Sequence, residues 1–193
     1  VVVAAGIYTP RLLAPLLAPI GLTLPISVTM VAAIQSIPLP RMLSQVIGVA
    51  SGRVAGRQEV SGRFRMTGTS MPWSEDGFHS AETTRPVFGQ IQDTIERAIR
   101  VVPALAGARL VNTWGGLIDQ SPDAIPVIDR PAAIDGLVVA AGFSGHGFCL
   151  GPITGEILAD LATAGTTPHP IDAFRLDRFP AQATPPEAVH LHG

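Results

Sequence analysis

The sequence contains no lysine, and all 13 of its basic residues are arginine. That excludes Schiff-base or lysine general-base chemistry supplied by this chain. It leaves any anionic substrate to arginine, backbone amides or neutral donors. Cys149 is the single cysteine, so neither an intrachain disulfide nor a thiolate metal cluster can form. A reducing, cytoplasmic setting is the simplest expectation. Charge is scarce, at 15% of residues, and the net of −2 comes without the basic stripe that nucleic acid would require as a partner. Long apolar runs are missing too. Between Arg11 and Arg41 there is no charge, but Pro15, Pro19, Pro25, Pro38 and Pro40 break the run and Thr23, Ser27, Thr29, Gln35 and Ser36 are polar. No stretch reaches the roughly 18 to 20 apolar residues of a spanning helix, so no transmembrane span is expected. Val1-Val2-Val3 follows no charged region and is not a signal peptide. It reads as a chain that starts in mid-domain.

What is present is a core. Hydrophobic residues make up 47% of the 193, which argues for a folded chain of one domain or pieces of two. Residues 1 to 5 suit a parallel strand buried on both faces. Thr9 followed by Pro10 reads as an N-cap and first position of a helix running to Leu17. Residues 24 to 68 read as antiparallel strands, with Ile26, Val28 and Met30 alternating with polar residues, an apolar run at 46 to 50, and Val60, Phe64 and Met66 opposite Arg63 and Arg65. Residues 69 to 86 read as a loop. Ile91, Ile95, Ile99 and Val102 then recur at helical spacing, with Asp93, Glu96, Arg97 and Arg100 toward water and Pro103 as the stop. A strand at 109 to 113 leads into Trp114-Gly115-Gly116-Leu117, and Pro122-Asp123 marks a turn. The tail beyond Phe179 reads as disordered.

The segment from 136 to 164 carries the most chemical information. It reads as a buried strand (136 to 141), a glycine-rich loop (142 to 147) and a helix from Leu150. In that helix Leu150, Ile153, Ile157, Leu158 and Leu161 form the apolar face, and Gly151, Gly155 and Ala159 form a smooth ridge. Glycines let the backbone turn sharply and approach a ligand closely. The first amides of a helix have no partner within it and carry the positive end of its dipole, so the junction is built to receive negative charge, as phosphate or as the anionic edge of a reduced flavin. Two rivals use the same residues. Ser144 after Gly142-Phe143 resembles a nucleophile elbow, but His146 stands where that motif needs glycine. Gly145 and Gly147 open a helix as in a dinucleotide fingerprint, but Leu150 takes the place of its third glycine.

Read together, several segments resemble one family. Gly142-Phe143-Ser144-Gly145-His146-Gly147-Phe148 followed by Gly151-Pro152-Ile153-Thr154-Gly155-Glu156 resembles the C-terminal flavin-contacting segment of the D-amino-acid oxidase and sarcosine oxidase superfamily. Trp114-Gly115-Gly116-Leu117, Ser121-Pro122-Asp123 and Pro126-Val127-Ile128 resemble the stretch that precedes it. Val3-Ala4-Ala5-Gly6 resembles an early strand of that family, and Phe174-Arg175-Leu176-Asp177-Arg178-Phe179 its closing segment. The Ser-Pro-Asp form is most similar to β-type subunits of opine oxidase, hydrogen cyanide synthase and sarcosine or proline dehydrogenase.

The resemblance implies a mixed α/β fold: part of a doubly wound FAD-binding domain with an inserted antiparallel or mixed β-sheet substrate domain, and without the N-terminal dinucleotide-binding βαβ unit. The implied boundaries are 1 to 23 and 119 to 179 for the FAD domain, 24 to 118 for the substrate domain and 180 to 193 for the tail. FAD is the implied cofactor and a small-molecule amine or amino acid the implied substrate, oxidised at its C–N bond with hydride passing to flavin N5. Subunits of a hetero-oligomer are the implied partners. The implied cofactor contacts are Ala5, Gly6, Gly142, Gly145, His146, Gly147, Phe148 and Cys149. His146 borders the flavin's pyrimidine end or tunes the substrate side by hydrogen bonding, Trp114 forms a substrate wall, and Arg57 and Arg65, with Arg63 nearby, are candidate carboxylate anchors.

There are departures. Cys149 stands where single-chain sarcosine oxidases have lysine, and Ile118 where glycine oxidases have a carboxylate-clamping arginine. The first makes a quinone, with membrane association, or a partner subunit an alternative acceptor to oxygen. The family's GxGxxG motif does not occur in the sequence, so the fragment alone is expected to be inactive. Cys149 reads as an inert buried thiol, and His190 and His192 as tail residues rather than a metal site. The alternative function is a non-catalytic remnant or interaction module that does not hold FAD.

Overall fold

The computed structural model describes residues 1–49, 53–73 and 84–179. The chain folds as two compact units, one made of Val1–Val28 with the described residues from Ile118 onward, the other of Thr29–Leu117. Among the described residues no helix is long and apolar enough to cross a membrane.

The first unit is built on a three-stranded sheet in the order β1-β8-β7. β1 (Val2–Val3) pairs in parallel with β8 (Val138–Ala141), and β8 pairs antiparallel with β7 (Val127–Asp129). All residues of β7 and β8 are buried, as expected of a strand run without polar alternation. β1 does not meet the expectation of burial on both faces: it is the edge of this sheet, and Val2 remains 45% exposed. α1 (Thr9–Leu17) turns Leu13 and Leu17 into a core with Leu24, Val127, Val139 and Leu176. Thr9 is not its N-cap. Tyr8 holds that position, while the buried Thr9 hydroxyl accepts the Ala5 amide at 3.1 Å and ties the helix start to the end of β1.

α3 (Gly147–Thr163) begins three residues earlier than the apolar pattern suggests, because Gly147, Phe148 and Cys149 already form its first turn. Ile157 and Leu161 pack on Ile128 and Val138, but Ile153 is exposed, and a Cβ added at Gly151 or Gly155 would meet open space. The small-residue ridge is therefore uncovered in this chain. Two short 3₁₀ turns (Asp172–Phe174 and Leu176–Arg178) close the unit. The buried Asp129 carboxylate accepts the Leu176 amide at 2.9 Å, and Arg178 forks onto Asp123 at 2.8 and 3.2 Å.

The second unit is a five-stranded sheet in the order β3-β4-β5-β2-β6. The strands are β2 (Ser27–Pro38), β3 (Ile47–Val49), β4 (Val54–Gln58), β5 (Arg63–Pro72) and β6 (Leu110–Gln120). The pairs β3–β4, β4–β5 and β2–β5 are antiparallel, as the alternation implies. Val60 is a correction. It lies in the tight turn closed by Gly62 N–H donating to Glu59 at 2.9 Å, and it is fully exposed rather than part of the strand face. β5 also continues to Pro72, so 69 to 72 is strand where a loop was expected. The remainder of that expected loop falls largely outside the described residues, as does the tail beyond Phe179. α2 (Phe88–Val101) covers one face, packing Ile91, Ile95, Ala98 and Ile99 against Ile34, Phe64 and Met66. Asp93 and Arg97 pair along it and Asp93 also accepts the Thr69 hydroxyl, so this helix is fastened to β5 by a hydrogen bond as well as by apolar burial.

Candidate functional site

Parallel pairing of β1 and β8 fixes the first group of candidate residues. Val3 lies opposite Val139, so Ala5-Gly6 and Ala141-Gly142 leave the sheet side by side at the carboxyl ends of the two strands. Loops at that edge of an α/β sheet are where ligands bind. Gly6, Gly142, Ser144 and Gly145 all have positive φ, at 54°, 73°, 53° and 88°. Gly142 and Gly145 can adopt this freely, whereas Ser144 adopts it at a cost of order 1–2 kcal/mol.

The cost at Ser144 is offset by bonds that sequence reasoning did not find. The Asp119 carboxylate accepts the Gly142 amide at 2.7 Å and also the Phe143 amide, and its backbone carbonyl accepts the Ser144 amide at 2.9 Å. Gln120 forms a bridge with Phe143. The buried Ser144 hydroxyl donates to the Gly142 carbonyl at 3.1 Å, accepts the Ser121 amide at 3.2 Å and lies 3.1 Å from the Ser121 hydroxyl. A hydroxyl so engaged, with His146 exposed beside it, is a fastener rather than a nucleophile, which removes the elbow reading. The signal for Asp119 and Ser121 was their place at the end of β6 and just beyond it, but only the fold shows that this strand end meets a loop 23 residues away.

Burial pushes the Asp119 carboxyl above the usual carboxylate range, and the Gly142 and Phe143 amides offset part of that rise. No cation pairs with it among the described residues, so the two amides supply its local compensation.

With the amides of 142 to 144 turned inward, a different set faces outward. The first bond within α3 is donated by Leu150 to the His146 carbonyl at 3.3 Å, so the amides of Gly147, Phe148 and Cys149 precede it and have no intrahelical acceptor. Gly145, His146, Phe148 and Cys149 are exposed and Gly147 is half-buried. A Cβ at Gly147 would press on the Phe143 side chain at 3.2 Å, while Gly145 is open, with Ile118 at 3.8 Å. His146 occupies the N-cap without a side-chain cap bond. Cys149 is an exposed free thiol, not the buried one expected, because the early start of α3 turns it outward. The arrangement leaves several amides and the positive end of a 17-residue helix together at one edge, as an anion-binding helix start requires.

The second group lies in the other unit. Arg57 on β4 is the register partner of Arg65 on β5, and Arg65 is the partner of Gln35 on β2. Asn112 on β6 donates to the Gln35 side chain at 2.9 Å. Cross-strand partners share a face, and strand alternation adds Trp114, two residues from Asn112. Gly115 points the other way, toward Met30 and Thr84. Arg57, Arg65 and Trp114 therefore share the sheet face opposite α2. Trp114 is 37% exposed, so it is not a core residue. Arg65 lies 3.6 Å from Glu59. No group that could hold a metal ion is found among the described residues.

A family model described as "FAD dependent oxidoreductase" matches residues 1–161. The chain belongs to this family. Sarcosine oxidase subunit beta of Rhizobium meliloti (strain 1021) is 32% identical over 159 residues, covering 82% of this chain and 36% of that protein. Among solved structures, L-proline dehydrogenase from P. horikoshii superposes with a TM-score of 0.79 at 25% identity, over 92% of this chain and 46% of that one. Glycine oxidase from Geobacillus kaustophilus superposes with a TM-score of 0.79 at 26% identity, over 92% and 45%. The chain thus spans little more than a third of the length of the curated relative and under half of each solved structure. The resemblance drawn from the Trp114 to Phe148 motifs is confirmed, and so are the mixed α/β fold and the FAD dependence of the family.

Proposed function

We propose that this chain supplies the flavin-contacting loop and the substrate-facing sheet of an FAD-dependent oxidoreductase acting on an amine or amino acid. The observation that carries the reading is the partition of amides in one loop: those of 142 to 144 are satisfied inside the protein, while those of 147 to 149 are left at a helix start for an anionic ligand edge. The donor set fits a flavin, which offers a carbonyl and a ring nitrogen that become electron-rich on reduction. Gly145, Gly147, Phe148 and Cys149 would hold that edge through their backbones, with Ala5 and Gly6 beside them and His146 at the rim. FAD, when bound, supplies the two-electron acceptor for removing hydride from the amine-bearing carbon. The first unit serves as the cofactor part and the second as the substrate part. Arg57 and Arg65 anchor a substrate carboxylate, and Trp114 provides an apolar wall. The resulting imine is hydrolysed by water.

The test is an absorbance spectrum of the full-length protein that contains this chain, purified with FAD and recorded before and after anaerobic addition of candidate amines and imino acids. Flavin bands that remain with the protein and bleach with an amine support the reading. A folded protein that retains no FAD overturns it.

A further inference from the structure

The geometry assigns Asp119 as a positioning residue: it holds the 142–145 loop in the one conformation that leaves the α3 amides free for the cofactor. The inference rests on the flavin reading above and concerns a residue that touches no ligand. Three consecutive amides of the loop, those of Gly142, Phe143 and Ser144, are held by this one residue, two by its carboxylate and one by its carbonyl. The neighbouring Gln120–Phe143 bridge and Ser121–Ser144 contacts lock the same alignment from the next two positions of the chain. Three of the four residues from 142 to 145 have positive φ, and one of these is a serine. A loop with that much left-handed backbone does not hold itself, and an ionised acceptor makes the strongest bonds available to amides.

The choice of a carboxylate is informative. An asparagine could accept only on its oxygen and would turn an NH₂ toward a second amide donor, whereas a carboxylate can accept from both. Neutralising residue 119 should therefore loosen the loop even when its size is kept. Loosening would let the Gly142 or Phe143 amide turn outward and would misplace those of Gly145 and Gly147, which follow without a break in the chain.

The experiment compares amide hydrogen exchange by NMR in the unaltered protein, Asp119→Asn and Asp119→Ala, together with FAD affinity and the visible spectrum of any bound flavin. The expected result is exchange about tenfold or more faster at Gly142, Phe143 and Ser144 in Asp119→Ala, with Asp119→Asn intermediate. Val127 and Val139 in the sheet should keep their protection. FAD affinity should fall in the same order, and the flavin band shape should shift. Loop protection unchanged in Asp119→Ala overturns the assignment. So does protection lost equally at Val127 and Val139 in both variants, since that would make Asp119 a support of the whole sheet. Should the unaltered protein take up no FAD, the flavin reading fails while the exchange rates still decide whether Asp119 holds the loop. Asp135→Asn, at an exposed position before β8 and so at the opposite end of that strand from the loop, is the matched control and should leave every reading unchanged.

Discussion

Arg57 and Arg65 stand directly opposite each other in the antiparallel register of β4 and β5. Like charges placed this way repel, by about 0.2–1 kcal/mol in a solvated sheet. Glu59 lies 3.6 Å from Arg65 and is shared with the Gln35 side chain at 3.0 Å, and no ion pair of Arg57 is found among the described residues. A bound carboxylate would relieve the pair. Arg57→Gln should accordingly leave thermal stability unchanged or slightly raised. In the FAD-loaded protein it should raise KM for a carboxylate-bearing amine about tenfold or more, the worth of a charge-assisted bond. An analogue without the carboxylate should show no such rise. Equal KM changes for both compounds would remove the anchor role.

Ser144 carries the fastening role in its hydroxyl. Ser144→Ala leaves the buried Ser121 amide without its acceptor, a loss of about 1–3 kcal/mol. Urea unfolding followed by circular dichroism should show a lower midpoint with an unchanged slope. A midpoint equal to that of the unaltered protein would mean that the serine pair is incidental.

Gly145 separates conformation from space. A Cβ there meets only Ile118, at 3.8 Å, so Gly145→Ala creates no clash. Its φ of 88° nevertheless disfavours alanine, by about 1–2 kcal/mol. The expected outcome is a modest fall in Tm and a larger fall in FAD affinity, measured by flavin fluorescence titration. Affinity unchanged from the unaltered protein would place the cofactor edge elsewhere.

Much of this was legible in the sequence because period and composition are local. The apolar run at 138 to 141, the α2 periodicity from Ile91 to Ile99, and the glycines of the 142 to 147 loop each announce themselves within a few residues. The family could be read from motif order alone. What escaped was set by contacts across long separations. Asp119 was indistinguishable from any strand-end aspartate until β6 met the loop. Val60 obeyed the strand period, but the Glu59–Gly62 turn overrode it. Thr9 has good N-cap chemistry, yet its hydroxyl is taken by the end of β1, so the cap moves to Tyr8. β4 was not singled out within residues 24 to 68 because Gly56 interrupts its side-chain pattern. In the fold a Cβ at Gly56 would meet the β5 backbone at 2.4 Å, and glycine is required there for close approach.

The acid response should have two components of opposite sign. Asp93 is held below its ordinary value of 3.8 by the hydrogen bond from Arg97, so its contribution is present above that value and lost as pH falls through the lower folded one. Asp119 is raised above 3.8 by burial, so the folded state holds its proton more readily than the unfolded chain. Between the two values stability falls as pH rises. Asp93→Asn should flatten the acid limb of a stability–pH curve, and Asp119→Asn should remove the opposing slope just above pH 3.8. Curves of unaltered shape in both variants would contradict these assignments.

The central claim is that the amides at the start of α3 receive the flavin. The most direct measurement is a backbone amide NMR titration with FAD of the full-length protein that contains this chain. The account predicts that the largest shift changes fall on Gly145, Gly147, Phe148 and Cys149, and that Gly142 and Ser144, already bonded inside the protein, move least. Binding with its largest shifts elsewhere, or no binding at all, would contradict it.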